Sequence, residues 1–445
     1  MRNHNTDSIW THTERNISFP PLNENKKTDV LIIGGGMAGI LCAFMLKNCG
    51  VDCLLVEAGS IGSKITKDTT AKITLTHGLL YDKLIRRFGE NYAGIYLKAQ
   101  LRACEKYYNL CQKISCDYKE KDSYVYSVND LKKIEREVDA LNRLGVKAEF
   151  FDKLPLPIGV AGAVRVKKQG EFHPLKFLYG ISKDLPIYES TKVLKLKPDR
   201  VITQYGEIRC KKIIVATHFP ILNKHGSYFL KMYQHRSYVL AIEGAPNIHG
   251  MYVDESDTGL SFRNYENLLL LGGGGHRTGK SGGNWRELEL FAKKYYKNAK
   301  IVAKWATQDC ITLDRVPYIG QYSKNTPNLY VATGFNKWGM TSSMVAAIIL
   351  SDLVCDKQNE YAHVFSPSRS VLRPQLAINA FESITGLLKP VAPRCSHLGC
   401  ALKYNVAEHS WDCSCHGSRF SNDGNLIDNP ANTDKKINFN FSDSE

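Results

Sequence analysis

The first sixty residues predict a strand, a helix and a second strand. Residues 30–33 are an unbroken apolar run, which is typical of a strand covered on both faces. The helix that follows is expected to end at about Asn48, and the segment VDCLLVE (51–57) predicts a second strand that ends in an acid. Strands that alternate with helices in this way indicate a parallel α/β sheet.

Two later regions show other periodicities. Residues 81–116 place apolar side chains at steps of three and four, which predicts a long amphipathic helical region packed into a core. Residues 227–275 contain short β-like runs, which predict the strands of a second sheet. The apolar run at 344–354 is too short to span a bilayer, and the polar residues 1–16 lack the apolar core of a signal peptide. We therefore expect a cytoplasmic protein without a transmembrane segment.

The composition is that of a globular protein with about three domains. The 445 residues are 43% apolar and 23% charged, and the formal net charge is +15. Because Lys and Arg are spread along the chain without a basic run, this charge favours an acidic redox partner or an anionic substrate over nucleic acid. Thirteen cysteines are too sparse for a disulfide scaffold, and only the last four are organised.

The turn after the first strand has the spacing G-x-G-x-x-G, at Gly34, Gly36 and Gly39. Gly34 suits a tight turn, Gly36 lets the backbone approach a pyrophosphate, and Gly39 lets the helix pack closely on the strand. The free N–H groups at the start of the helix face the phosphates. Glu57 ends the second strand and is placed to accept a ribose hydroxyl, which favours FAD or NAD.

Two Cys/His pairs lie near the C-terminus. Cys395 and His397 belong to CSHLGC (395–400), and Cys413 and His416 belong to CSCHGS (413–418). Two thiolates and two imidazoles suit a structural zinc ion. They also suit a Rieske 2Fe–2S centre, in which two cysteines hold one iron and two histidines hold the other. The spacing alone leaves both metals open.

From residue 28 to about residue 355 the chain resembles the glycine-oxidase and sarcosine-oxidase flavoproteins of the D-amino-acid-oxidase superfamily. The resemblance rests on KKIIVATHF (211–219), NLYVATGFNKWGMTSS (328–343), DRVPYIG (314–320) and TKV (191–193). It implies FAD as the cofactor, with Val193 at the adenine. It also implies that the flavin ring and ribityl chain are lined by Gly334, Lys337, Trp338, Gly339, Met340 and Thr341.

The two C-terminal loops resemble those of Rieske proteins, including their glycines. This resemblance implies a 2Fe–2S cluster with Cys395 and Cys413 on one iron and His397 and His416 on the other, and we expect the histidines at exposed loop tips. Only about 35 residues separate the preceding apolar helix from the first loop. An abridged domain that leans on the flavoprotein body is therefore expected.

Four further residues refine the Rieske resemblance. Cys400 and Cys415 match the non-ligand pair that forms a disulfide between the loops in quinol-oxidising members, so a Cys400–Cys415 disulfide is implied. Ser418 matches a serine whose hydroxyl bonds a bridging sulfide. Phe420 stands where such members often have a hydrogen-bonding tyrosine, which implies a potential below the top of the Rieske range.

The flavoprotein resemblance also implies the catalytic residues. Lys72 in TTAKIT and Arg263 in GLSFR match basic residues near the flavin. Asp309 replaces the arginine that clamps the substrate carboxylate in amino-acid oxidases, which favours a cationic amine over an α-amino acid. Thr307 stands near the position where related enzymes attach FAD to a cysteine, so noncovalent FAD is expected, with Cys310 as the nearby alternative.

These features together predict an α/β fold. A Rossmann-like FAD-binding domain is interleaved with an α+β substrate domain and followed by a small all-β Rieske-type domain. The predicted boundaries are an N-terminal extension at 1–27, the FAD-binding domain at 28–80, 162–220 and 312–360, the substrate domain at 81–161 and 221–311, a linker helix at 361–389 and the Rieske domain at 390–445.

The predicted function is that of a dehydrogenase-like, FAD-dependent oxidoreductase. It would oxidise a C–N bond of a small amine by hydride transfer to FAD and pass electrons singly to the 2Fe–2S cluster. An external acceptor, either an acidic redox protein or a quinone, would then receive them. Two alternatives stay open: a non-catalytic redox carrier or sensor, and an amine oxidase with a structural zinc site.

Overall fold

The computed structural model describes residues 7–13, 15, 17–222, 225–370, 372–388 and 392–435. The other residues belong to the predicted N-terminal extension (1–6, 14 and 16), substrate domain (223–224), linker (371 and 389) and Rieske segment (390–391 and 436–445).

An eight-stranded sheet with parallel inner strands forms around the first strand of the chain. That strand, Lys26–Ile33, lies between Cys53–Val56 and Glu207–Val215 and is parallel to both. Helix Met37–Asn48 packs against helix Gly339–Val354. The predicted strand–helix–strand unit is therefore confirmed. The remaining strands of this sheet, called the parallel sheet below although its outer ladders are antiparallel, are Ile187–Tyr188, Val193–Leu196, Arg200–Thr203, Tyr318–Gln321 and Leu329–Thr333.

A second sheet of nine strands is largely antiparallel. Its longest strands, Met232–Glu243 and Lys300–Thr312, pair along almost their whole length. The other strands are Lys72–Ile73, Lys119–Ser127, Ala148–Phe151, Gly162–Glu171, Met251–Asp254, Ser261–Tyr265 and Leu268–Arg277.

Two strands correct the predicted domain boundaries. Lys72–Ile73 and Gly162–Glu171 fall in segments assigned from the sequence to the FAD-binding domain, but both belong to the second sheet. Gly162–Glu171 pairs with Lys119–Ser127 and also with Lys72–Ile73. The backbone groups of Gly162–Glu171 are therefore paired within the second sheet. The chain returns to the parallel sheet only after residue 171.

The amphipathic region at 81–116 forms two helices, Tyr81–Phe88 and Glu90–Cys111. They meet at Gly89, whose φ of 87° breaks the helical path. The remaining helices are Leu131–Arg143, Pro174–Ser182, Tyr228–Lys231, Asn284–Tyr295, Ala362–Phe365 and Pro374–Leu388, with 3-10 turns at Ile9–His12 and His225–Ser227. Within the described ranges, no helix has the length and apolar character needed to cross a membrane.

The C-terminal unit is a small antiparallel sheet of four strands: Leu402–Asn405, Ser410–Cys413, Arg419–Ser421 and Leu426–Asp428. Helix Pro374–Leu388, called the cap helix below, precedes this sheet in the chain and contacts its cysteines.

The C-terminal unit is joined to the second sheet by a buried ion network. Glu408 accepts hydrogen bonds from Arg236 (Nε, 3.1 Å), Arg419 (Nη2, 2.8 Å) and the Tyr238 hydroxyl (2.9 Å). Burial alone raises the pKa of Glu408, but the two arginines hold that pKa below its usual range. In its charged form, the Glu408 carboxylate therefore stabilises the contact between the C-terminal unit and the second sheet.

We expect Glu408→Ala to lower the free energy of unfolding by about 3 kcal/mol, because it removes the nearest carboxylate from the buried Arg236 guanidinium group and leaves it only a 3.9 Å contact with Asp428. Asp412 and Asp428 still pair with Arg419, which keeps the loss near the low end for such changes. Since the folded pKa of Glu408 is depressed, its stabilisation is present above the unfolded pKa of about 4.3 and is lost as the pH falls through the folded value.

Urea unfolding at neutral pH and on acidification measures both effects. Glu105→Ala is the matched control, because Glu105 forms a surface pair with Arg102 and is half-exposed. Equal stability of the two variants at neutral pH would contradict the assigned role of Glu408.

Candidate flavin site and metal centre

One cavity of about 1270 Å³ lies between the two sheets. Its walls include the turn after the first strand, the strand Lys300–Thr312 and the turn at 335–340. The C-terminal unit closes one side with Asp428, Asn429 and Asn432. The cavity therefore includes the predicted flavin site and is bounded on one side by the C-terminal unit.

The nucleotide end of the cavity has the features predicted from G-x-G-x-x-G. Gly34, Gly36 and Glu57 line it, and the Glu57 carboxylate accepts hydrogen bonds from the N–H groups of Gly35 (2.7 Å) and Gly59 (2.8 Å). A Cβ on Gly39 would lie 1.9 Å from the Gly34 carbonyl oxygen, so only glycine allows this approach of helix to strand.

Most of the predicted flavin-lining residues face the cavity. Val193 lines the end of the cavity that is predicted to hold adenine, and Lys337, Trp338, Gly339 and Met340 line the other end.

Gly334 and Thr341 do not line the cavity, which corrects their predicted contact. Gly334 is packed against Thr312, and the Thr341 hydroxyl lies 2.9 Å from Nε2 of His77. Both residues instead pack on the side of the turn at 335–340 that faces away from the cavity.

His77 is a further cavity residue, which the sequence pattern does not indicate. Its ring lines the cavity, stacks on Trp338 at 5.0 Å between ring centroids and lies 2.7 Å from the Tyr96 hydroxyl. Burial lowers the pKa of His77 to about 3, so the ring is neutral and holds Trp338 in place. Nothing in the local sequence marks this histidine, because its partners are distant in the chain.

The two predicted catalytic cations have different positions. Lys72 lines the cavity, and burial, assisted by the nearby Arg263 charge, lowers the pKa of Lys72 to about 7. Arg263 is fully buried behind the cavity wall, where Nη1 donates to the carbonyl oxygens of Thr70 (2.7 Å) and Ala71 (2.6 Å). Arg263 therefore does not line the cavity and instead holds the loop before Lys72.

The alternation of strand Lys300–Thr312 separates two sets of residues. Thr307 and Asp309 face the cavity. Gln308 and Cys310 face away and are 1% exposed. Burial raises the pKa of Asp309 to about 6, against the opposing charges of Lys337 and Arg236. Cys310 is thus not on the cavity wall, which agrees with noncovalent FAD.

The two Cys/His loops have the same hydrogen-bond pattern. The N–H of Cys395 donates to Cys400 O (2.9 Å), and the N–H of Gly399 donates back to Cys395 O (3.0 Å). In the second loop the N–H of Cys413 donates to Ser418 O and the N–H of Gly417 donates to Cys413 O, both at 2.9 Å. Two such loops can present matched ligands to a pair of irons.

The predicted ligands converge at the tips of these loops. The rings of His397 and His416 are 5.0 Å apart, and the adjacent Cys413 side chain raises the pKa of the Cys395 thiol. Nδ1 of His416 is buried without a hydrogen-bond partner among the described residues. A buried nitrogen of this kind, on the same loop as the Cys413 thiol, suits a metal ligand, so the donor set fits the 2Fe–2S cluster.

His416 corrects the expectation of exposed loop tips. It is 1% exposed, because Phe229 packs against its ring and the Ser383 hydroxyl of the cap helix lies 3.3 Å from Nε2. His397 is half-buried.

The predicted disulfide is not formed in the structure, where Cys400 and Cys415 are free thiols. Their sulfur atoms and that of Cys413 all lie within 4.8 Å of one another. The pairing therefore stays a prediction.

The chain belongs to the family of FAD dependent oxidoreductases, which residues 29–353 match. Residues 356–438 match the Rieske [2Fe-2S] domain. The protein is therefore an FAD-dependent oxidoreductase with a C-terminal Rieske domain, and its cofactors are FAD and a 2Fe–2S cluster rather than zinc.

Three known proteins illustrate the similarity. The "Putative Rieske 2Fe-2S iron-sulfur protein YhfW" of Bacillus subtilis (strain 168) is 36% identical over 96% of this chain and 96% of its own. Gamma-glutamylputrescine oxidoreductase of Escherichia coli (strain K12) is 23% identical over 80% of this chain and 90% of its own. The crystal structure of L-proline dehydrogenase from P. horikoshii is 17% identical, covers 78% of this chain and 98% of that chain, and superposes with a TM-score of 0.67, which shows a shared fold.

We expect FAD to be bound noncovalently and to depend on Glu57. Acid precipitation should leave the yellow flavin in the supernatant. Glu57→Ala should weaken FAD binding roughly ten- to 150-fold, the equivalent of a lost hydrogen bond to a charged group. Titration of FAD into the apoprotein measures the change, and Glu207→Ala, on an exposed part of the parallel sheet, is the control. Yellow colour in the pellet would contradict noncovalent binding.

The potential of the cluster should depend on Ser418 and Phe420. The Ser418 hydroxyl accepts from Ala431 N (3.0 Å) and bonds to Cys395, while Phe420 is fully buried in the same small core. Ser418→Ala should lower the midpoint potential by about 60 mV, the one-electron equivalent of a lost hydrogen bond of about 1.4 kcal/mol. Phe420→Tyr should raise it by adding a donor.

Redox titration followed by EPR measures these shifts, within the Rieske span of about −150 to +300 mV. Ser396→Ala is the control, because that hydroxyl donates to the Thr433 carbonyl instead. An unchanged potential in both test variants would show that the cluster is held differently.

Proposed function

We propose that this protein oxidises a C–N bond of a small amine and delivers the electrons to an external acceptor. FAD, when bound, takes hydride from the substrate, and the 2Fe–2S cluster passes electrons on one at a time. The names of two similar proteins, gamma-glutamylputrescine oxidoreductase and L-proline dehydrogenase, denote amine substrates and support this reaction class.

One observation supports the proposal: strand Lys300–Thr312 contacts both the cavity and the second Cys/His loop (413–418), called the cluster loop below. Asp309 faces the cavity, while the adjacent Gln308 donates to the Gly417 carbonyl oxygen (2.9 Å). Gln308 also donates to Gln234 (2.6 Å), which donates to the His416 carbonyl oxygen (3.0 Å). These contacts hold a predicted cluster ligand against the wall of the predicted flavin site, as internal electron transfer requires.

Asp309 selects the charge of the substrate. With a pKa of about 6 it is ionised at neutral pH and attracts a cationic amine, whereas it repels the carboxylate of an α-amino acid.

Lys72 has a pKa of about 7 and can therefore hold or release a proton near neutral pH. A substrate ammonium group has to lose a proton before it can give up hydride, and Lys72 is the cavity base for that step.

The acceptor is an acidic redox protein or a quinone, and the cytoplasmic location stays a prediction. Lys72 and Asp309 on the cavity wall favour catalysis over a pure electron carrier, because a carrier needs neither a base nor an anion beside its flavin.

The test is anaerobic mixing of the protein with a panel of primary and secondary amines and α-amino acids. An amine should bleach the flavin, and the EPR signal of the reduced cluster should follow. Asp309→Asn should raise the half-saturating amine concentration about tenfold or more, because it removes a charged partner. Thr307→Val, on the same face of the strand, is the control and should change it little.

Two outcomes would contradict the proposal. If an α-amino acid were the best reductant, the assigned role of Asp309 would be wrong. If no compound of the panel bleached the flavin, the non-catalytic carrier or sensor would be favoured.

A further inference from the structure

The cap helix turns its polar and small residues toward the protein. Asn379 is 1% exposed, and the Ser383 hydroxyl lies 3.3 Å from Nε2 of His416. A Cβ on Gly386 would lie 2.3 Å from the sulfur of Cys415, so this glycine permits close contact with the cluster loop. The inner face of the helix is thereby fixed.

The outer face of the cap helix is apolar. Phe381 is 64% exposed and Leu388 is 74% exposed, whereas every polar side chain of the helix is at least partly buried. The spacing by three and four places these side chains in one stripe, which nothing covers within the described residues. This apolar stripe consists of Pro374, Ala377, Ile378, Phe381, Ile384, Leu387 and Leu388.

Cations lie at both ends of the apolar stripe. Arg373 precedes the helix, and both Arg373 and Arg87 lie against the ring of Phe88, at 5.3 and 5.4 Å. At the other end Nη1 of Arg394 donates to the Leu387 carbonyl oxygen (3.1 Å). An apolar stripe between cationic ends matches the surface of an anionic bilayer.

No free negative charge opposes such a surface along the helix. Glu382 is the one acidic residue in the helix sequence, and its carboxylate pairs with Lys280 at 2.8 Å. The net charge of +15 acts in the same direction over a longer distance.

A second copy of the chain fits this face less well. An isologous contact along the stripe would bring the same arginines of two copies together, and like charges at an interface are unfavourable. Spanning a bilayer is excluded for this helix, because 15 residues reach only about 22 Å.

We propose that the apolar stripe of the cap helix binds the surface of an anionic lipid bilayer, with the helix parallel to the membrane plane. Because the inner face of the same helix contacts His416 and Cys415, the bilayer would then lie about one helix diameter, ~10 Å, from the cluster loop. If the proposed function holds, the external acceptor is a lipid-soluble one of the quinone class.

Vesicle co-sedimentation of the purified holoprotein tests the binding without substrate, so the result does not depend on the proposed reaction. Phosphatidylcholine vesicles containing phosphatidylglycerol should bind the wild type, and pure phosphatidylcholine vesicles should bind it more weakly. Phe381→Asp and Ile384→Asp together should lower the affinity about tenfold or more, because two large apolar side chains no longer enter the lipid.

Leu290→Asp is the matched control, since Leu290 is 59% exposed on another helix and should leave binding unchanged. Unchanged visible spectra of all variants verify that the cofactors and the fold are retained. The proposal is overturned if the wild type does not bind anionic vesicles, or if Leu290→Asp weakens binding as much as the stripe variants do. It is also overturned if light scattering shows a dimer that Phe381→Asp converts to a monomer, because the stripe is then an interface between copies.

Discussion

The hydrogen bond from Gln308 to the Gly417 carbonyl oxygen is the contact on which the arrangement of the two cofactor sites depends. Strand Lys300–Thr312 alternates, so the residue on either side of Gln308 faces the cavity while Gln308 itself faces the cluster loop. Gln234, on the paired strand, completes the contact through His416 O. A shift of this strand by one residue would turn Gln308 into the cavity and Asp309 toward the cluster. The register of strand Lys300–Thr312 therefore determines which side chains face the cavity and which side chain binds the cluster loop.

The small size of the C-terminal unit explains why it needs this support. Four strands of three or four residues bury a core of mostly cysteine and aromatic side chains, which is too little apolar surface for independent stability. The flavoprotein body supplies the missing contacts through the Gln234–Gln308 pair and the Arg236–Glu408 ion pair. Because those groups are buried and mutually satisfied, they also fix the orientation of the unit.

The sequence predicts best what depends on neighbours in the chain. Gly34, Gly39 and Glu57 lie within one strand–helix–strand unit, so their spacing alone locates the nucleotide end of the cavity. The position of Arg263 depends on a loop almost two hundred residues away, where two carbonyl oxygens need a donor. The burial of His416 likewise depends on Phe229 and Ser383, which no local pattern connects to it. Local patterns therefore indicate the two cofactors, whereas the burial of Arg263 and His416 depends on contacts between distant parts of the chain.

The cap helix is a second case in which contacts with a distant part of the chain override a local sequence pattern. Periodicity predicts a helix there, and the usual rule would turn its apolar side to the core. In the structure the apolar side of the cap helix faces outward, because the helix packs on the cluster loop, whose polar groups need hydrogen-bond partners. The Cys415 thiol donates to the Glu382 carbonyl oxygen, and Nε2 of His416 lies near the Ser383 hydroxyl. Small and polar residues meet those demands and large ones would not fit beside Gly386. Because small and polar residues occupy the inner face of the cap helix, its large apolar side chains lie on the outer face. Their burial requires a surface from beyond the residues described.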